Sequence, residues 1–327
     1  MTARRDGNRF GRQLSTGAAR LLAALGILLA VSLITFILFQ LAPGDAASAI
    51  LGESATAESL AALRQRLGLD LPLHQRYLNW LGALLQGDLG SMHRSGESVA
   101  RVLAGRLPVT VELLLAAQVL ALVLAIPAAI QAAYRERSWF DRGTQAVSTA
   151  FVSAPSFLIG LVLIYVFALK LGWLPATGYV PLGEGLGANL RSLLLPALTL
   201  ALAEFPVYLR LLRSEMVQTL QQNFILTARA LGLPPWRILL QHALRPSSLS
   251  LVTMVGINMG RLLGGAVIIE VLFGLPGVGS LLAEAIYQRE YAAVQGVVLF
   301  VAVAFVLINL LVDACYAWLD PRVRRHA

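Results

Sequence analysis

The chain has 327 residues, of which 57% are hydrophobic and only 13% are charged. A charged fraction of about 25% is typical of soluble domains, so this composition indicates an integral membrane protein. The net charge of +8 does not indicate nucleic-acid binding, because the basic residues lie in clusters between apolar segments. The single cysteine, Cys315, excludes an internal disulfide framework and a multi-cysteine metal site, and its apolar surroundings are typical of a packed residue.

An arginine-rich start precedes the first apolar run, which covers residues 21–41. This run is longer than the roughly 7–15 apolar residues of a secretory signal, and it matches the about 20 residues that cross a bilayer. The sequence therefore predicts a cytoplasmic N-terminus over residues 1–20 and a retained first transmembrane helix over residues 21–41.

Residues 42–107 form a long polar insertion in which acidic and basic side chains balance. Thr56 is placed to cap one helix, and Pro72 is placed to open another. The insertion is therefore predicted to be a small extracytoplasmic helical cap. His74 and His93 have no metal-ligand spacing around them, so they are interpreted as surface or packing residues and no metal site is predicted.

Five further apolar segments follow, and the polar links between them predict their orientation. The predicted spans are 109–133, 145–169, 193–212, 248–269 and 293–317. Pro127 and Pro155 lie inside the first two of them and predict kinks. Arginine is concentrated in the N-terminus, the link 135–142, the segment 210–245 and the tail, which the positive-inside rule places in the cytoplasm. The predicted fold class is all-α: a polytopic membrane protein with six transmembrane helices, both termini cytoplasmic, and a long extracytoplasmic loop after the first helix.

The sequence lacks the motifs of a catalytic subunit. A Walker motif ends in Gly-Lys-Ser/Thr, but the only lysine, Lys170, is followed by Leu171. There is also no Gly-x-Ser-x-Gly elbow and no His-Glu-x-x-His. We therefore predict no catalytic residue and no enzyme activity, and any ATP hydrolysis that drives this protein must come from a separate subunit.

The longest polar loop of the second half runs from Gln218 to Pro246. Apolar residues at helical spacing predict one stripe along its first helix: Val217, Leu220, Phe224, Ala228 and Leu231. Gly232 is placed to end that helix, and Pro235 is placed to start a second helix that ends at Arg245, before Pro246. Such a segment has two plausible uses: it lies on the lipid surface, or it fits a groove on a soluble partner.

The motif from Thr227 to Gly232, followed by His242-Ala243-Leu244-Arg245, resembles the cytoplasmic coupling loop of ABC-transporter permeases of the dipeptide/oligopeptide/nickel family. Leu226 stands where that loop has its glutamate. In the family, the loop inserts into a cleft on the ATP-binding subunit. The resemblance implies a five-helix permease core over 108–317, with a coupling loop over 213–247 and a cytoplasmic tail over 318–327. The implied ATPase-coupling residues are Thr227, Ala228, Arg229, Ala230, Gly232, His242 and Arg245.

The resemblance covers nearly the whole chain. Further matching segments are Leu41–Asp45, Arg66–Asp70, Gly87–Gly90, Leu171–Pro175, Glu270–Gly279, Gln295–Gly296 and Leu319–Arg322. The most specific of them is Glu270–Gly279, which supplies the predicted outer-loop site residues Phe273, Pro276, Gly277 and Gly279.

The family implies a particular assembly in the bacterial plasma membrane. This chain would be one of two related permeases, identical or heterologous, which two ATP-binding subunits and an extracytoplasmic solute-binding protein complete. ATP and magnesium would bind the partner subunits, and this chain would bind no cofactor. Peptides are the expected solute, with nickel chelates or oligosaccharides as alternatives. A secondary transporter is a further alternative, but neither internal repeats nor ion ligands in broken helices are clear. A purely structural membrane subunit is another, although it would not need a coupling loop.

The fifth predicted span carries glycines at four-residue spacing, namely Gly256, Gly260 and Gly264. Small residues at this spacing let helices approach closely, either as ordinary packing or as a mobile seam along a translocation path. Arg261 lies beside them, where a charge costs about 2.5–3.5 kcal/mol on insertion scales and needs a partner or water. The candidate partners are Glu204, Glu112 and Asp313. A structural ion pair and a contact with solute both remain open for Arg261.

Overall fold

The computed structural model describes residues 22–38, 56–66 and 70–319, and the side chains of residues 63, 66 and 313–319 lie outside this description. The predicted cytoplasmic N-terminus, most of the tail and parts of the predicted cap therefore also lie outside the described residues, as do the side chains of Asp313 and Cys315. Within the described ranges the chain is mainly helical, and an isolated antiparallel bridge joins Ser91 and Ser98.

The described helices are numbered here in chain order. They are α1 (Leu22–Leu38), α2 (Ala57–Arg66), α3 (Leu73–Leu85), α4 (Val99–Tyr134), α5 (Trp139–Ser153), α6 (Ser156–Leu163, continued by a π-helical segment Ile164–Lys170), α7 (Leu186–Leu220), α8 (Asn223–Ala230), α9 (Pro235–Phe273), α10 (Val278–Gln288) and α11 (Tyr291–Leu319). A short 3₁₀ turn, Leu182–Glu184, precedes α7.

Among the described residues, four helices are long and apolar enough to cross a membrane: α4, α7, α9 and the Tyr291–Val312 part of α11. They cover most of the predicted spans 109–133, 193–212, 248–269 and 293–317. The pair α5 and α6 makes a fifth span if it is counted as one. Helix α1 is apolar but shorter, and residues 21 and 39–41 of its predicted span are not described. The chain is thus an all-α polytopic membrane protein.

The predicted span 145–169 differs from a single kinked helix. Helix α5 ends at Ser153, and α6 leaves it at an angle of 105°. Ala154 and Pro155 both adopt extended ψ angles, 129° and 138°. A residue before proline is pushed out of the helical region, so the chain turns sharply here where a kink was predicted.

The chain divides into two compact units. The first comprises residues up to 108 together with 281–306. In it, the Thr56 hydroxyl accepts the Ser59 amide at 3.2 Å and caps α2, and α3 begins after Pro72, as predicted. Helices α1 and α3 meet where the Ser32 and Tyr77 hydroxyls lie 2.8 Å apart.

The second unit comprises residues 109–280 and 307–326, and α7 is its central helix. Helix α7 packs against α5, α6 and α9. Its buried face carries Tyr208, Leu209, Leu212 and Met216, which belong to one core cluster with a row of α4 alanines: Ala121, Ala125, Ala129 and Ala133. Four small residues at four-residue spacing let helices approach closely. Arg213 of α7 and Asp141 of α5 form a two-bond ion pair, with nitrogen–oxygen distances of 2.5 and 2.7 Å.

Candidate functional site

The predicted coupling segment (residues 213–247) begins inside α7, which continues to Leu220. After a turn, α8 runs to Ala230. Gly232, two residues later, closes the end of this helix and has a left-handed φ of 73°. The Gly232 amide donates to the Arg229 carbonyl at 3.0 Å, and the Leu233 amide donates to the Ala228 carbonyl at 3.2 Å. These two bonds are those of a Schellman motif, so the predicted helix end at Gly232 is confirmed.

The second half of the segment does not end where the sequence predicted. Pro235 is the first residue of α9, as expected, because a helix start tolerates the missing amide. The helix then continues through a π-helical stretch, Ile238–Ala243, and passes Pro246 without a break. The predicted boundary at Arg245 is therefore wrong. Proline disfavours a helix at the preceding residue, but proline-containing membrane helices are tolerated.

The predicted apolar stripe is only partly present: Val217, Leu220 and Ala228 pack inward, whereas Phe224 and Leu231 do not. A turn at Gln221 and Gln222 separates α7 from α8 and shifts the helical register. As a result, Ile225 is fully buried, whereas Phe224 is 48% and Leu231 75% exposed. The exposed large apolar side chains of this region are Phe224, Leu226, Leu231, Trp236 and Leu240. We call these five residues the exposed apolar patch. Exposed apolar side chains gathered in one segment make it a candidate interaction surface.

The residues predicted to couple to an ATPase are divided between the surface and the interior. The exposed ones are Thr227, Arg229, Ala230, Gly232 and Arg245, and His242 is half-buried. Ala228 is instead buried and packs with Ile225 and Ile238 beneath α8. His242 Nδ1 lies 3.2 Å from the Arg237 carbonyl, which holds the ring against its own helix. Ala228 thus supports the fold of the segment and does not contribute to its surface.

The three predicted seam glycines have different surroundings. A methyl group added at Gly256 would overlap the side chain of Val312 on α11. Gly260 is buried, whereas Gly264 is exposed and a methyl group there would meet nothing within 4 Å. In the described structure, close packing is therefore shown at Gly256, and the face at Gly264 is open.

We expect Gly256→Ala to lower the stability of the purified chain by about 1–3 kcal/mol, because the added methyl group overpacks the contact with Val312. The matched control is Gly264→Ala. Its expected effect is a gain of up to about 0.5–1 kcal/mol, since alanine is the better helix former. Thermal unfolding in detergent measures both. Equal effects of the two substitutions would contradict the packing difference.

Arg261 pairs with the first of its candidate partners. Its Nη2 lies 3.0 and 3.3 Å from the two carboxylate oxygens of Glu204, and Asn258 Nδ2 donates to Glu204 at 2.6 Å. The Glu204 side chain is only 5% exposed, whereas that of Arg261 is 62% exposed. The predicted ion pair is therefore present, but only its acidic half is enclosed.

Glu112 makes different contacts from those predicted. It accepts the Tyr179 hydroxyl at 2.8 Å and the Asn189 side-chain amide at 3.1 Å, and so fixes the link before α7. Burial and then the bond to Glu112 raise the pKa of Tyr179 to about 12. The Tyr179 hydroxyl consequently stays protonated, and remains a donor, well above physiological pH.

The predicted outer-loop residues lie at and just after the end of α9. Phe273 is buried, and its carbonyl accepts the Gly178 amide at 2.9 Å. Gly274 adopts a left-handed φ of 62°, and the Leu275 amide donates to the Glu270 carbonyl at 2.8 Å, so α9 ends in a second Schellman-type turn. Pro276 is half-buried in the turn that leads into α10.

A buried carboxylate explains the remaining two glycines. The Glu270 side chain is fully buried and accepts the Thr110 hydroxyl at 2.6 Å and the Ser280 amide at 2.9 Å. Thr110 in turn accepts the Val278 amide at 2.8 Å. We call these four residues the Glu270 cluster. Val278 and Ser280 lie in the first turn of α10, where amides have no acceptor within the helix. The carboxylate accepts the Ser280 amide, the Thr110 hydroxyl accepts the Val278 amide, and the negative charge meets the positive end of the helix dipole.

Glycine is required next to this carboxylate. A methyl group at Gly277 would overlap the Glu270 carboxyl, and one at Gly279 would lie 2.5 Å from Val267 Cα. Sequence reasoning named both glycines but not Glu270 or Thr110 as site residues. A carboxylate near the end of an apolar helix was the signal that could have identified Glu270, since such groups are costly in membranes without partners.

Two family models match the chain. The model described as "Binding-protein-dependent transport system inner membrane component" matches residues 122–325. A model for the N-terminal region of such membrane components matches residues 17–114. Together they cover nearly all the described helices.

Curated relatives match over almost their full lengths. A putative peptide transport system permease protein of Brucella abortus is 40% identical over 305 residues, which is 93% of this chain and 97% of the relative. A glutathione transport system permease protein of Escherichia coli is 36% identical over the same shares. Among solved structures, a chain of the MetNI methionine ABC transporter in inward-facing conformations superposes with a TM-score of 0.56 at 16% identity, covering 67% of this chain and 96% of that one. That similarity concerns the fold alone.

Proposed function

The chain belongs to the family of binding-protein-dependent transport system inner membrane components, and from this premise we propose that it is the permease subunit of an ATP-driven importer of peptides. It forms half of the translocation pathway and carries out no covalent chemistry. The peptide assignment is supported by relatives of 34–40% identity that are named as peptide permeases in Brucella abortus and Sinorhizobium fredii.

The proposed topology has six spans and both termini in the cytoplasm. Helices α4, α7, α9 and α11 supply four spans, and the bent pair of α5 and α6 supplies one. The apolar run over residues 21–41, which includes α1, supplies the first. This arrangement puts the predicted coupling segment in the cytoplasm and the Glu270 cluster near the opposite membrane surface.

The proposed assembly contains a second homologous permease, two ATP-binding subunits that hold ATP and magnesium, and an extracytoplasmic solute-binding protein. The exposed apolar patch on and around α8 is the surface that docks on an ATP-binding subunit. Arg229, which is exposed beside the patch, adds a positive charge to this surface.

One observation carries the proposed mechanism: the patch leads directly into α9, which continues from Pro235 to Phe273 without a break. At about 1.5 Å per residue, this helix of 39 residues is about 58 Å long. A displacement of the coupling segment by ATP-driven closure of the partner subunits therefore moves a helix that reaches across the membrane.

Gly232→Val tests this mechanism. A methyl group at Gly232 would meet nothing within 4 Å, so the cost of a side chain is conformational and arises from the left-handed φ of 73°. That conformation costs about 1–2 kcal/mol for an ordinary residue, which corresponds to about 5–30-fold in the population of the competent segment. We expect uptake to fall by a factor in this range for valine. Asparagine, which tolerates this conformation, is the matched control and is expected to retain most of the uptake.

The measurement is ATP-dependent uptake of labelled di- and oligopeptides by vesicles that hold the whole complex with its binding protein. Unchanged uptake by Gly232→Val, or uptake without ATP, would overturn the coupling mechanism. ATPase activity that needs Gly232 but accompanies no peptide uptake would retain the permease and reject peptides as its solute.

A further inference from the structure

A polar cluster lies between two membrane-spanning helices of the second unit, with its acidic member buried and its basic member exposed. Glu204 is near the middle of α7, and Asn258 and Arg261 are on α9. At about 1.5 Å per residue, Arg261 is about 18 Å along the helix from its end at Phe273. The cluster is therefore far from both ends of these helices. At this depth in a membrane span, a charged group does not reach the bulk water beyond the helix ends.

The two charges of the cluster are held differently. Glu204 is enclosed, and its two carboxylate oxygens accept hydrogen bonds from Asn258 and Arg261. Arg261 uses only Nη2 for this contact, and its Nε and Nη1 donate to none of the described residues. A guanidinium has five N–H donors in a planar fork. Most of this fork is therefore directed away from Glu204, on a side chain that is 62% exposed.

The surface around Arg261 is unusually bare. Gly264 and Gly265 lie one turn further along the same face, both are exposed, and a methyl group on either would meet nothing within 4 Å. Ile257 and Ile268, one turn before and two turns after Arg261, are exposed on the same face. Among the described residues, this face thus combines exposed glycine and isoleucine with the guanidinium of Arg261 at its centre. A guanidinium facing lipid at this depth is costly, so this face meets water or a polar group.

We propose that Arg261 contacts the transported solute, and that its guanidinium binds the C-terminal carboxylate of a peptide as it passes along this face of α9. A carboxylate fits the planar fork through two parallel hydrogen bonds. The bare glycine surface lets the main chain of a peptide approach the helix. Glu204 and Asn258 are positioning residues that hold the guanidinium and partly offset its charge, which keeps the contact weak enough for release. This inference rests on the proposed peptide function.

The test compares a tripeptide with its C-terminal amide in proteoliposomes that contain the complete complex. Both forms are supplied at concentrations that saturate the binding protein, and uptake is expressed per ATP hydrolysed. The wild type is expected to move the free acid about tenfold faster than the amide, because the amide cannot form the charged pair. In Arg261→Gln, uptake of the acid is expected to fall to that of the amide, with the amide unchanged. Arg261→Lys, which keeps the charge but loses the fork, is expected to lie between them.

In Arg261→Gln alone, Glu204 is left as a buried carboxylate without its partner, which can impair folding. The double substitution Arg261→Gln with Glu204→Gln removes both charges and so avoids this problem. It is expected to show the same loss of preference for the acid. If either variant still takes up the free acid faster than the amide, the proposal is overturned. An equal loss of acid and amide uptake also overturns it, because that result would assign Arg261 to assembly. In those cases the proposed peptide import still stands. If the wild type hydrolyses ATP but moves neither peptide form, the proposed function itself fails and the proposal fails with it.

Discussion

Replacing Glu270 with alanine is expected to destabilise the second unit by about 2–6 kcal/mol. The substitution removes the acceptor of two buried donors, the Thr110 hydroxyl and the Ser280 amide. Each buried donor left without a partner costs about 1–3 kcal/mol. The Ser280 amide is in the first turn of α10 and has no acceptor within its own helix, so relaxation of the helix cannot replace the lost bond.

The matched control is Glu284→Ala on the same helix. Glu284 is 53% exposed and pairs with Arg106 at 3.3 Å, so its loss is expected to cost no more than about 1 kcal/mol. Thermal unfolding of the purified chain, followed by tryptophan fluorescence in detergent, compares the two variants. A loss of stability in Glu270→Ala no larger than in Glu284→Ala would show that the Glu270 cluster does not stabilise the fold.

Gly279→Ala is expected to cost about 3 kcal/mol, at the upper end of the usual range for overpacking. The added methyl group would lie 2.5 Å from Val267 Cα, which belongs to the backbone of α9 and cannot rotate away. Gly277→Ala differs in kind, because the three atoms nearest to its methyl group all belong to the Glu270 carboxyl. The removal of that carboxyl therefore creates the space that the added methyl group needs.

A double-mutant cycle separates the two glycines. In a Glu270→Ala background, Gly277→Ala is expected to add little further loss, whereas most of the cost of Gly279→Ala is expected to remain. The stability losses of neighbouring substitutions that share a contact are non-additive in this way. The unfolding midpoints of the single and double variants measure this non-additivity. If Gly277→Ala were as harmful without the carboxyl as with it, the close approach to Glu270 would not be the reason for this glycine.

Local sequence signals predicted those features that depend on local chemistry. Gly232 was identified as a helix end because few residues other than glycine adopt a left-handed conformation readily, and the structure confirms it. Pro235 was identified as a helix start for an equally local reason. The long apolar runs predicted helices because a membrane leaves the backbone few other ways to satisfy its hydrogen bonds.

The features that were missed depend on register or on distant parts of the chain. The stripe through Phe224 assumed one continuous helix, but two turn residues rotated the next helix and buried Ile225 instead. The role of Glu270 depends on Thr110, which lies 160 positions earlier in the chain. Periodicity carries no information about such pairings. The choice of Glu204 among three acidic partners for Arg261 likewise required the packing of α7 against α9.

The two ends of α9 differ in how freely their sequence can change. At Gly232 a methyl group would meet none of the described atoms within 4 Å, so asparagine can replace glycine there. At Gly277 and Gly279 the space is filled by Glu270 and by backbone, so single changes are blocked. If the exposed apolar patch docks on an ATP-binding subunit as proposed, substitutions there can change the partner that is recognised without disturbing the close packing at Gly277 and Gly279.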